Sequence, residues 1–199
     1  EEINRFLAHP DQPGNFDALI GTDEWRQCLA IQEPRERNRF LHDLYVRQLR
    51  ISAGAKYVRS FQMQNQRNVT DYFLFYATNN RRGIERMKEA MWKVDQTGEF
   101  TFSDATDPNQ EVLFGKEPRY DVLQKLILAR FAGAEATIDE IREFVLAETA
   151  FRETHFKTQI LRPLETRDPQ LIEVLDPPPR RKPGTYRDDN LRLRFRPAP

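Results

Sequence analysis

The sequence predicts an α+β or α/β chain in two parts, a helix-and-hairpin unit over residues 1–118 and a smaller unit of three helices and a second hairpin over 119–199. Three observations predict it. Apolar residues recur at helical spacing around 35–51, 81–95 and 120–132. Between the first two, segments 56–64 and 70–78 have strand length and composition, joined by the polar link Asn65-Gln66-Arg67-Asn68. Near the end, segments 171–175 and 191–195 flank a Pro-rich basic link. At about 100–200 residues per domain, 199 residues allow one large domain or two small ones.

Taken in order, Ile3, Phe6 and Leu7 read as a helix already under way, so the sequence looks like a fragment or a processed chain. Pro10, Pro13, Gly14 and Gly21 make 10–22 loop-like. A short helix is expected at 22–31, with Thr22 as N-cap. The helix at 35–51 carries a stripe of Phe40, Leu41, Leu44, Tyr45 and Leu49. Segment 70–78 is apolar on both faces at its centre, which predicts burial on both sides. Ile84, Met87, Met91 and Trp92 line the helix at 81–95. Residues 96–118 are irregular, with Phe100, Phe102 and Phe114 expected to pin them to a surface.

In the C-terminal unit, Thr137 and Glu140 form a capping-box signature for a second helix. The third is expected near 151–162, extending toward Arg167. At about 100° per residue, Phe156, Ile160 and Leu164 fall on one arc. The opposite arc holds Arg152, Thr154, His155, Thr158, Gln159 and Arg162, with no carboxylate until Glu165. Such a face suits a DNA groove, where acids would meet phosphate repulsion. Three helices followed by a hairpin with a basic tip is the winged helix-turn-helix pattern. Arg180, Arg181, Lys182 and Tyr186 are the expected wing contacts.

Several functions are poorly served. Three His and one Cys give neither a disulfide nor a multi-Cys zinc site, and Cys28 with His42 is a weak nucleophile–base candidate beside the reading of a buried structural thiol. The eight Gly include no phosphate-cradling or dinucleotide loop, so no cofactor or metal site is expected in this chain. No apolar run approaches membrane length and nothing resembles a signal peptide, which points to a cytoplasmic protein.

Residues 57–63 (YVRSFQM), 72–79 (YFLFYATN) and 83–95 (GIERMKEAMWKVD) resemble the C-terminal part of the three-Cys-motif partner protein family. The resemblance implies the end of a methyltransferase-like Rossmann domain followed by a winged helix. It also implies a partner, a three-Cys-motif protein that is radical-S-adenosylmethionine-like, and a setting in DNA modification, repair or phage defence. S-adenosylmethionine would then be a cofactor of a longer protein, bound upstream, with an N-terminal fragment as a further partner; no methyltransferase motif residue carries over to this chain, and its catalytic residues are unknown. Three readings follow: a DNA-binding subunit, the end of a methyltransferase, or a protein-interaction module.

Net charge is zero, with 31 basic and 31 acidic residues, but it is unevenly spread. Residues 149–199 hold 11 basic and 7 acidic residues, a net of +4, whereas 120–148 hold 3 and 6, a net of −3. An acidic support with a basic tip fits a double-stranded DNA partner.

Overall fold

A computed structural model describes residues 13–65, 67, 69–103 and 118–197. The chain divides into two compact units, Glu1–Gly83 with Phe100–Leu113, and Ile84–Glu99 with Phe114–Pro199. The helix expected around Ile3–Leu7 and the role expected of Phe114 lie outside the described residues.

Among the described residues, the first element of this unit is α1 (Pro13–Ile20), where a loop was expected. Pro13 is compatible with a helix start, because its fixed φ is helical and its missing N–H would have no intrahelical partner. Gly21, at φ 77°, closes the helix by donating its N–H to the Asp17 carbonyl at 2.8 Å. A 3₁₀ helix (Glu24–Ala30) follows, then α2 (Pro34–Ile51) with Pro34 in its first turn. Thr22 does not cap as expected; Asp23 is the N-cap, and Thr22 Oγ1 accepts from the Glu24 N–H at 3.3 Å. Ile20, Trp25, Cys28, Leu41 and Leu44 make the core of this helical layer.

Strands β1 (Tyr57–Gln64) and β2 (Thr70–Thr78) form the expected antiparallel hairpin, with Phe61 opposite Leu74. A third strand, β3 (Thr101–Ser103), runs parallel to β1, giving the order β2-β1-β3. The expectation that β2 is buried on both faces is corrected: Tyr72 and Leu74 are more than half exposed. Its other face packs on α2, where Phe73 and Phe75 meet the His42 ring at 4.8 and 5.3 Å. Since β2 ends the sheet, β1 is its only pairing neighbour among the described residues.

Helix α3 (Arg81–Val94) begins where Asn80 Oδ1 accepts the Gly83 N–H at 3.0 Å. From Ile84 to Glu99 the chain belongs with the C-terminal unit, an addition to the expected 119–199. The reason is visible in two side chains. Lys88 Nζ donates to the carbonyls of Val145 and Phe151, both at 2.8 Å, and Trp92 Nε1 donates to that of Ala150 at 2.8 Å. These bonds tie residues 84–99 to the C-terminal unit.

That unit continues with α4 (Tyr120–Phe131), β4 (Glu135–Thr137) and α5 (Ile138–Glu148). The capping box forms as its sequence signature indicates: Thr137 Oγ1 accepts the Glu140 N–H at 3.1 Å, and Glu140 accepts the Thr137 N–H at 2.7 Å. Three consecutive helical stretches, Glu153–His155, Phe156–Leu161 and Arg162–Thr166, make one helix, α6. Its middle is π-helical, and this widening lies just ahead of Pro163, whose ring would otherwise press on the carbonyl of Gln159. Strands β5 (Ile172–Leu175) and β6 (Arg192–Phe195) pair antiparallel, and β4 joins the other edge of β6. Phe156, Ile160 and Leu164 are buried as the helical wheel indicated, with Leu123, Ile127, Ile138, Ile141 and Leu193 around them in the core. Among the described residues, no helix is long and apolar enough to cross a membrane.

Candidate nucleic-acid interface

The surface built by α6 and the 176–191 loop is the candidate site. A buried carboxylate holds its two halves together. Glu165 sits near the end of α6, beside Leu164 and on the inner side of the helix. It accepts two hydrogen bonds from the Arg181 guanidinium at 2.6 and 2.8 Å. It also accepts the Gly184 N–H at 2.8 Å and the Tyr186 hydroxyl at 2.6 Å. Burial raises the Glu165 pKa, but these donors outweigh it and hold the group below the usual carboxylate value. Burial, then the hydrogen bond to Glu165, pushes the Tyr186 phenol well up.

Arg181 and Tyr186 are therefore not free to meet a phosphate. Both were expected at the wing surface; both are consumed in fixing the loop to the helix. Gly184 takes part because it lies at φ 79° with a Cβ position only 2.6 Å from Arg162 Cγ. The loop thus runs directly against the second half of α6. Its other end is fixed by buried Arg142, which bonds Asp139 at 2.9 Å, Glu153 at 3.0 Å and both oxygens of Asp189.

With those groups internal, the exposed cations stand out. Arg162, Arg180, Lys182 and Arg187 are exposed and have no ion-pair partner among the described residues. Arg187 was not expected from sequence; its signal is its position beside the inward Tyr186, which turns a neighbour outward. Arg180 occupies the left-handed region at φ 62°, in a turn closed by the Arg181 N–H to the Pro178 carbonyl at 3.1 Å.

The first half of α6 is different. Thr154, Thr158 and Gln159 are exposed, as expected for an outward face. Arg152, however, pairs with Glu89 of α3 at 2.9 Å, and Lys157 pairs with Glu153 at 2.6 Å. A cleft of about 290 Å³ separates α3 from this half of α6, with Glu85, Glu89 and Glu153 among its walls beside Arg152, Thr154 and Thr158. The one-helix reading found no carboxylate here because the acids come largely from a second helix.

His155 is not on the contact face. Its ring packs edge-on against Trp92 at 4.5 Å and Tyr120 at 5.5 Å, and its Nδ1 accepts the Arg152 N–H at 3.3 Å. Burial, followed by the charges of Arg152 and Lys88, lowers its pKa from 6.5 to about 4. The unfolded chain binds this proton near pH 6.5 and the folded chain only near pH 4, so stability falls as pH drops through that window. The expected loss between pH 7 and pH 5 is on the order of 2 kcal/mol. Urea unfolding at both pH values checks this, and H155F should show a correspondingly smaller difference.

Cys28 and His42 do not form a pair. Cys28 lies in the apolar core, where burial raises its thiol pKa, while the His42 ring nitrogens meet Asp43 at 2.8 Å and Ser60 at 2.7 Å. Among the described residues no group of three or more His, Cys, Asp or Glu could hold a metal ion. Comparison with protein-family models, curated proteins and solved structures finds no match.

Proposed function

We propose that residues 118–197 form a winged helix-turn-helix that binds double-stranded DNA through the second half of α6 and the 176–191 loop. The element order supports this reading: helix, short strand, two helices, then two strands enclosing a long loop, with β6 between β4 and β5. One observation carries it. The internal salt bridges use Arg142 and Arg181 to fix the loop, and among the exposed cations without an ion-pair partner, Arg162, Arg180, Lys182 and Arg187 lie on one helix half and its adjoining loop. Phosphates are what such a row of unneutralised cations recognises.

The wider setting is proposed from the family resemblance: a cytoplasmic member of the three-Cys-motif partner group, acting in DNA modification, repair or phage defence beside a radical-S-adenosylmethionine-like protein. The segments that carry the resemblance form β1, β2 and α3, an order consistent with that proposal.

The test is duplex binding as a function of salt. Each phosphate contact contributes about 0.9 to the slope of log K against log salt. The triple variant R180A/K182A/R187A should flatten that slope by about two to three units. Binding that keeps its full slope in this variant would remove the loop from the interface and favour a protein-docking role for the same surface.

A further inference from the structure

We infer that this interface reads the DNA backbone and not base sequence, an inference that rests on the DNA-binding reading above. In helix-turn-helix proteins the first half of the recognition helix supplies the side chains that reach base edges. In this protein that half of α6 is not presented as a reading surface. Arg152, the side chain there best suited to a guanine edge, is tied to Glu89. Lys157 is tied to Glu153. Thr154 and Thr158 border a cleft that also has Glu85 and Glu89 from α3 in its walls.

Bringing a major groove onto that half would bring phosphates toward Glu85 and Glu89 and strip Arg152 of its partner. Both effects oppose deep insertion, whatever the sequence. Exposed cations without an ion-pair partner lie elsewhere, among them Arg162 and, in the loop, Arg180, Lys182 and Arg187. Their charge suits phosphate oxygens, which are the same at every base pair. Gln159 is the exposed amide of α6 that could pair with an adenine edge; the exposed cation one turn on, Arg162, lies in the second half of the helix beside the loop, away from the half that reads bases.

The experiment uses the full chain and two duplexes of equal length and unrelated sequence, together with selection from a random duplex pool. The two affinities should agree within about threefold at any one salt concentration, and the pool should yield no consensus. R162A should weaken both duplexes by the same factor, and Q159A should leave both unchanged. A selected sequence bound more than about a hundredfold tighter than its scrambled form overturns the inference while leaving DNA binding in place. So does a Q159A or R162A effect confined to one duplex. Absence of binding to either duplex at low salt overturns the DNA-binding reading itself, and this inference with it.

Discussion

Replacing Glu165 with alanine should destabilise the chain by about 3–5 kcal/mol, since it leaves the Arg181 charge buried without its partner. The Glu165 and Arg181 side chains are 6% and 9% exposed, so water cannot readily take over. Tyr186 and the Gly184 N–H lose their acceptor in the same step. Chemical denaturation of wild type and E165A measures the loss. E165Q keeps the shape and one acceptor oxygen but not the charge, and should fall between them. The variant also separates stability from function: with the loop released from α6, Arg180, Lys182 and Arg187 lose their fixed positions, and duplex affinity should drop even where the rest of the fold persists. The sign with pH is set by the lowered Glu165 pKa. Its contribution is present above the unfolded value of 4.5 and is lost as acid protonates the folded carboxylate.

The second large effect is expected at Lys88. This side chain is fully buried and points its ammonium at the last turn of α5 and at the Phe151 carbonyl. The negative end of the α5 dipole favours a cation there. K88M retains most of the aliphatic bulk but removes the donor. Val145 O keeps the Thr149 hydroxyl at 2.8 Å, so the cost centres on the Phe151 carbonyl and on the lost cation–dipole attraction. A loss of about 2–4 kcal/mol in urea unfolding is expected. An unfolding free energy within about 0.5 kcal/mol of wild type would show that residues 84–99 do not depend on this anchor.

Much of the C-terminal unit was legible because its signals are local. The Thr137–Glu140 capping box and the Phe156, Ile160 and Leu164 arc depend on neighbours within four residues, and both form as read. The last strand of the second hairpin was legible from the alternation of Leu191, Leu193 and Phe195 with Arg192 and Arg194. What escaped depends on distant partners. β3 and β4 are three residues each and exist only because β1 and β6 offer them hydrogen bonds. Arg181 and Tyr186 look like surface groups until Glu165 is seen across the loop. His155 lies on a polar arc of the isolated helix, yet Trp92 and Tyr120 come from elsewhere to enclose it. Two signals were present and unused. Lys88 sits on the apolar stripe between Ile84 and Met91, and Glu165 adjoins Leu164 on the buried side of α6. A charge in such a position requires a partner, and looking for one would have turned Arg181 inward.

The most direct test of the central claim is the salt dependence of duplex DNA binding by the unmodified chain. Arg162, Arg180, Lys182 and Arg187, each meeting one phosphate, predict a straight line in log K against log salt with a slope of about −3 to −4. A slope near zero, or no binding at low salt, would contradict the proposal that α6 and its loop hold DNA.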